Sequence, residues 1–139
     1  MRISPQGSRF LAKFEIGEVL PRAFVELARE RGWTSGSVSG IGGVRNVLLA
    51  YYDLAARKYL EFPVDGVVEL VSLTGNLALV NGEPFWHLHA AVADREGNVK
   101  AGHLVHLEVA VTLECWIEPG AALVERTPDQ HTGLNLLNL

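Results

Sequence analysis

Three histidines in this sequence have the spacing of a metal site. His87 and His89 lie two positions apart in segment 85–92, which alternates as a β-strand does. Successive strand side chains leave opposite faces, so both imidazoles should lie on one face. His103 follows the polar turn 94–98, which would fold the chain back and return a third imidazole. Three neutral nitrogens with one open position are typical of catalytic zinc, so the sequence predicts that His87, His89 and His103 bind zinc.

An alternative interpretation of these residues stays open at this point. Strand histidines are also found simply hydrogen-bonded to neighbouring groups, with no metal. His106 and His131 are reserve ligands, the first three residues after His103 and the second in a C-terminal tail. Ligation requires neutral imidazoles, so metal affinity is expected to fall below about pH 6.5.

Glu69 is the candidate acid–base residue. It is expected to share a strand face with Val71 and Leu73. A carboxylate on an apolar face becomes functionally useful when burial or a nearby cation changes its pKa. A strand-edge glutamate that reaches solvent is the alternative. Arg45 and Glu114 are two further candidates for a ligand cavity beside the metal.

The glycine-rich segment 35–44 does not predict a nucleotide site. Its spacing fits neither the dinucleotide fingerprint nor the phosphate loop, and no lysine follows at the required place. We interpret it as a strand, a turn at Gly42 and Gly43, and a second strand over 45–53.

The remaining pattern predicts a sheet with one helix. Helical spacing covers about 20–31, with Pro21 in the first turn and Gly32 at the end. Strands are expected near 8–14, 58–64, 67–80, 85–92, 99–103 and 108–118, with a turn at 65–66, whereas the tail is short of strand pattern. The fold class is therefore α+β: a mostly antiparallel, curled β-sheet of about seven or eight strands with one main helix (about 20–31), forming a single domain over 1–139.

Segment 108–118 shows the clearest alternation. It predicts that Val109, Val111 and Cys115 face the core, which makes Cys115 a buried apolar residue rather than a nucleophile. Trp116 would then lie on the outward face. One helix cannot cover both faces of such a sheet, so a second subunit is a candidate to cover the remainder.

Composition narrows the function classes. The chain has 12 basic and 16 acidic residues, a net charge of −4, which argues against a large phosphate-binding surface. The single cysteine forbids an internal disulfide and suits a reducing cytoplasm. No signal peptide and no apolar run of roughly 18 residues is found, so we expect a cytoplasmic protein without a membrane partner.

Several runs together resemble the PPC domain, also called DUF296, of plants and prokaryotes. They are Ser39-Gly40-Ile41-Gly42, Glu69 to Asn76, His87-Leu88-His89, Gly102-His103-Leu104, and the ending with Arg126, Asp129 and Thr132-Gly133-Leu134. The resemblance covers roughly 8–137. It implies an antiparallel α+β domain that assembles as a homotrimer. Plant members carry AT-hooks for A·T-rich DNA, and no Arg-Gly-Arg-Pro hook occurs in this sequence.

The fold is also similar to that of acetolactate decarboxylase, whose zinc is bound by an HxH pair and a third histidine. That similarity implies His87, His89 and His103 as ligands, with Glu69 as a nearby acid–base group. Three functions follow: a homotrimeric stand-alone PPC-type domain that binds a divalent metal, a DNA-binding regulatory protein, and a lyase-like zinc enzyme acting on a small carbonyl or carboxylate compound. We expect the first, with a small molecule or anion at the metal and without duplex DNA as a partner.

Overall fold

One large sheet and one helix make up the protein, described here from a computed structural model of all 139 residues. The elements in chain order are β1 (Arg2–Gln6), β2 (Arg9–Phe14), β3 (Val19–Leu20), α1 (Arg22–Arg31), β4 (Gly36–Asp53), β5 (Lys58–Val80), β6 (Glu83–Ala93), β7 (Val99–Pro119), β8 (Glu125–Pro128) and β9 (Asn135–Asn138). The predicted α+β class is confirmed, and the sheet is mixed but mostly antiparallel. Its nine strands include four that were not predicted, β1, β3, β8 and β9, while three predicted pairs of strands are continuous in β4, β5 and β7.

The four long strands form a closed circuit. β4 pairs with both β5 and β7, and β6 pairs with the same two strands. Such closure requires strongly curled strands, as the sequence predicts. β1 and β2 continue the sheet beyond β7, and the hairpin β8–β9 continues it beyond β5. The one parallel pairing is between β5 and β8.

Two predicted turns are continuous strand instead. The chain passes through Gly42 and Gly43 inside β4, where the register shifts between Gly40 and Gly42, so the glycines accommodate a bulge. Gly66, with φ of +80°, likewise lies inside β5. The predictions of a turn at 42–43 and at 65–66 were therefore wrong, since glycine in a strand favours a bulge as readily as a reversal.

The helix closes one side of the core. α1 covers Arg22–Arg31, close to the predicted 20–31, and ends at Gly32 in the left-handed conformation. It buries Phe24, Leu27 and Ala28. The Trp86 indole Nε1 donates a hydrogen bond to the Phe24 carbonyl at 3.1 Å and so fixes β6 against the helix. The helix falls short of the length and apolar character that a bilayer-crossing segment requires.

A bulge in β7 changes one prediction about the core. Val109 and Cys115 are buried as expected, and burial raises the pKa of the Cys115 thiol to about 12. Val111, in contrast, is 62% exposed. The pairing with β4 advances four residues on β7, from 109 to 113, against two on β4, so the extra residues turn Val111 outward.

Candidate metal centre

The hairpin between β6 and β7 positions the three histidines. Its turn is held by Asp94, whose Oδ1 accepts hydrogen bonds from the amides of Glu96 at 3.0 Å and Asn98 at 2.9 Å. These contacts fix the register in which His89 lies directly opposite His103. His87, two residues earlier on β6, lies on the same face.

The three imidazoles form one compact cluster. Their ring centroids are 5.1 Å apart for His87 and His89, 5.2 Å for His87 and His103, and 5.6 Å for His89 and His103. One nitrogen from each ring lies within 4.8 Å of the other two. A single ion could therefore contact all three after small side-chain rotations.

Two glycines let the neighbouring strands approach the histidine strands closely. Gly75 on β5 lies against His87, and a Cβ there would collide with the His87 carbonyl oxygen. Gly102 precedes His103, and its Cβ would lie 2.7 Å from the carbonyl oxygen of Ala50 on β4. Both strands thus depend on bare backbone for the spacing that brings the rings together.

None of the three rings has a hydrogen-bonding partner in the protein, and the two more buried rings, His87 and His103, have lowered pKa values. Burial, together with the nearby His87 and His89, lowers the pKa of His103 to about 4. Burial also lowers the pKa of His87, followed by the charges of Arg126 and His89. The Nδ1 atom of His103 is buried and unpartnered, and none of the three rings makes a hydrogen bond to protein. This pattern is contrary to the interpretation as hydrogen-bonded strand histidines, and neutral nitrogen donors suit zinc.

The reserve histidines lie outside the cluster. His106 pairs with Leu48 of β4, and the His131 side chain is exposed in the tail. Neither joins His87, His89 and His103 in the group whose nitrogens approach one another.

Glu69 is not brought to the histidines. It pairs with Ala93, four residues beyond His89 on β6, about 13 Å along the strand. A bulge between Leu70 and Ser72 buries Leu73 while Glu69 and Val71 are exposed, so the expected shared face with Leu73 was wrong. Glu69 and Glu114 instead line a separate surface groove of about 440 Å³.

Arg45 is engaged in an ion pair away from the cluster. Its Nε and a terminal nitrogen both donate to Oε1 of Glu108, and Asn46 Nδ2 donates to Oε2 at 2.9 Å. Glu108 is not among the groups that change the pKa values of His87 and His103. The hydrogen bonds from Arg45 and Asn46 lower the pKa of Glu108 itself. Arg45 therefore braces the β4–β7 pairing and does not reach the metal candidate.

A cavity of about 300 Å³ opens beside the histidines. His87, His103, Tyr59, Arg126 and Asn135 supply its polar lining, and the apolar lining comes from Val80, Phe85, Leu134 and Leu136. The Tyr59 ring stacks on His103 with centroids 4.7 Å apart. Sequence reasoning missed both Arg126 and Tyr59 as site residues. Arg126 lies in a tail without the periodicity that would reveal its burial, and the local pattern of 58–64 does not link Tyr59 to the histidines.

Comparison with known proteins identifies the family. The family model of the Plants and Prokaryotes Conserved (PCC) domain matches residues 1–119. This chain belongs to the PCC-domain family. The family resemblance stated from the sequence is thereby confirmed. A search of curated proteins gives no significant match.

Solved structures agree with this membership. A plant- and prokaryote-conserved (PPC) protein from Pyrococcus horikoshii is 32% identical, with a TM-score of 0.89 over 99% of this chain and 95% of that one. A metal-containing protein from Archaeoglobus fulgidus is 32% identical, with a TM-score of 0.89 over 96% of this chain and 94% of that one. The α-acetolactate decarboxylase of Bacillus subtilis shares the fold at 15% identity, with a TM-score of 0.60 over 88% of this chain and 57% of that one.

Proposed function

We propose that this PCC-domain protein binds one divalent metal ion, zinc, through His87, His89 and His103. The observation that carries the proposal is the cluster of three imidazoles, one of them with a buried, unpartnered Nδ1. Three nitrogen donors with an open side form the ligand set that zinc takes in sites accessible to small molecules. The metal-containing relative from Archaeoglobus fulgidus lends independent support.

A zinc-dependent enzyme of the lyase type, acting on a small carbonyl or carboxylate compound, is the second candidate. The cavity of about 300 Å³ beside His87 and His103 favours it, since a purely structural ion needs no ligand space. Bound zinc would supply a Lewis acid or a water of lowered pKa. Glu69 is too distant to serve as its acid–base group, so Tyr59 and Arg126 are the ionisable side chains at hand.

Self-association accompanies the metal site in this proposal. Several exposed apolar side chains line adjoining grooves on the sheet surface, namely Leu11, Ile41, Val71, Val111 and Trp116. The helix packs elsewhere, against β3 and β6, and leaves this surface open. A second copy of the chain is the occupant that we propose, and the homotrimeric state follows from the family resemblance. The single cysteine is in keeping with a cytoplasmic location.

A DNA-binding role has less support. Acidic residues outnumber basic ones, 16 to 12, so few phosphates could be neutralised even by an assembled oligomer. We therefore do not expect duplex DNA to bind the isolated domain.

Elemental analysis of protein purified without a histidine tag tests the metal proposal. We expect about one zinc per chain in the wild type. A variant carrying both His87→Ala and His89→Ala should keep less than a tenth of that metal, because a single imidazole holds zinc weakly. Equal metal content in the two proteins would leave ordinary sheet histidines as the correct interpretation.

A further inference from the structure

Arg126 carries a buried charge that no acidic group balances. Its side chain lies on β8 and is 8% exposed. No carboxylate lies within ion-pair distance of its guanidinium, although the protein forms eight other ion pairs. Burying an unpaired charge is costly, so a protein that retains one usually supplies it with a ligand or an anion.

The hydrogen bonds of Arg126 orient it without neutralising it. One terminal nitrogen donates to Asn76 Oδ1 at 2.6 Å and the other to the Asn135 carbonyl at 3.2 Å. The Phe85 ring lies 5.6 Å from its Cζ atom. These partners are neutral, and the Nε atom is buried with no partner at all. A guanidinium held in this way keeps donor capacity for a further acceptor.

The guanidinium of Arg126, with its unused hydrogen-bond donors, lies beside the three histidines. Asn76, which anchors the guanidinium, is directly opposite His87 in the β5–β6 pairing. Arg126 and two of the histidines, His87 and His103, line the same cavity. A divalent ion on the histidines would place a second positive charge at this cavity, so the field there would strongly favour an anion.

We propose that the cavity binds a small monocarboxylate, with its carboxylate between Arg126 and the three-histidine centre and its hydrocarbon part against Phe85, Leu134 and Leu136. This inference rests on the proposed function for the contribution of the metal, while the contribution of Arg126 is independent of it. The planar fork of a guanidinium matches a carboxylate. The apolar walls match a short hydrocarbon chain, and about 300 Å³ limits the ligand to a small metabolite.

A carboxylate fits the cavity better than a phosphate does. A phosphate carries up to two charges and several acceptor oxygens that need donors, whereas Arg126 is the one arginine or lysine that lines this space and much of the remaining wall is apolar. An uncharged ligand would leave the arginine unbalanced. The cavity thus matches a ligand that carries one negative charge on a planar carboxylate and has a compact hydrocarbon part.

Isothermal titration with a matched ligand pair tests this inference. Isobutyrate and isobutyramide have the same shape and differ in charge. We expect isobutyrate to bind the zinc-loaded protein in about the millimolar range, as suits so small a ligand. Isobutyramide should bind at least about tenfold more weakly. Arg126→Gln should weaken isobutyrate by a similar factor at unchanged metal content, and Arg95→Gln, an exposed hairpin arginine, should change nothing.

Three results would overturn the inference. They are equal binding of acid and amide, wild-type affinity in Arg126→Gln, and no binding of isobutyrate at all. Inorganic phosphate binding more tightly than isobutyrate, with the same dependence on Arg126, would overturn the assignment to carboxylates. If Arg126→Gln does not fold, as judged by circular dichroism, the comparison of isobutyrate with isobutyramide on the wild type still tests the inference.

The failure of the metal proposal would be visible separately. Elemental analysis of each titrated sample shows whether zinc is bound. If the wild type holds none, the proposed function fails, yet the titration can be repeated with the metal-free protein. Isobutyrate should then bind more weakly but still lose affinity in Arg126→Gln; equal affinity in the two metal-free proteins would refute the role of Arg126.

Discussion

Burial makes His103 a titrating group that opposes folding in acid. In the unfolded chain it takes up a proton near its ordinary pKa of 6.5, whereas the folded chain resists until about pH 4. Between these values the unfolded state binds more protons, so the free energy of unfolding rises with pH. The stabilisation is fully present above pH 6.5 and is lost as the pH falls toward 4.

Urea unfolding of the metal-free protein, at one fixed chain concentration, measures this effect. Each pKa unit corresponds to about 1.4 kcal/mol, and solvent screening of the half-buried ring reduces the total, so we expect His103 to contribute about 1–2 kcal/mol. His103→Gln should show a correspondingly shallower loss of stability between pH 6.5 and 4. Identical losses in the two proteins would mean that His103 does not titrate in this range.

Single substitutions distinguish the ligands from the reserve histidines. His89→Ala should lose most of the bound metal, because two imidazoles hold zinc far more weakly than three. His131→Ala should lose none, since that side chain is exposed in the tail and outside the cluster. Zinc content of the purified proteins is the measurement, and metal loss in His131→Ala would move the site to the tail.

At the scale of elements, the β5–β6 pairing depends on Gly75. A Cβ there meets backbone of β6 as well as Leu88 Cδ2 at 2.7 Å, so the strands must separate. We expect Gly75→Ala to lower the free energy of unfolding by about 1–3 kcal/mol and to weaken zinc binding, because it displaces His87. Urea denaturation and a zinc competition titration provide the two readouts.

Gly66→Ala is the matched control for that prediction. Gly66 also lies in β5, but its surroundings are open and its strain comes from a positive φ. It should lose about 1 kcal/mol of stability and keep its zinc affinity. Equal zinc affinity in both variants would show that the spacing of β5 and β6 does not control the site.

Local alternation predicted the arrangement of the histidines well. The polar turn around Asp94 marks a hairpin, and period-two spacing then places His87 and His89 on one face opposite His103. Metal binding itself stays a prediction. The predicted strand face of Glu69 was wrong, because the bulge near Ser72 is set by how β5 pairs with β6, which the local alternation does not reveal.

The burial of Arg126 was beyond sequence reasoning for a related reason. Its neighbours Glu125 and Thr127 are exposed, and β8 is a short strand without an alternating apolar run. An arginine in such a tail is ordinarily solvated. Its burial follows from the way the tail lies over β5, where the Asn76 amide accepts from it.

At the scale of the whole molecule, the exposed apolar sheet surface should mediate assembly. We expect sedimentation equilibrium at micromolar concentration to give about three times the 15.2 kDa chain mass. Val71→Asp should shift the protein toward monomer, because a charge would be desolvated at the interface. Leu54→Asp is the control, with 51% exposure against 53% for Val71 but a position in the turn after β4. A monomeric wild type would refute self-association.

The charge balance of the molecule predicts little affinity for duplex DNA. With net charge −4, few counterions are released on binding, so non-specific affinity should be weak and should depend little on salt. Fluorescence anisotropy with random duplexes, measured across a range of salt concentrations, tests this. Tight binding with a steep salt dependence would contradict it.

The C-terminal hairpin β8–β9 joins the sheet by few bonds, which has a kinetic consequence. One ladder pair, Leu79 with Glu125, and the hydrogen bond from the Leu79 amide to the Val124 carbonyl connect its backbone to β5. Segments so sparsely attached open by local unfolding long before the core does. Because Arg126 lies on β8, each opening separates its guanidinium from the histidines. Amide hydrogen exchange in 125–138 should therefore be faster than in the core strands, and it reports how readily this wall of the cavity opens.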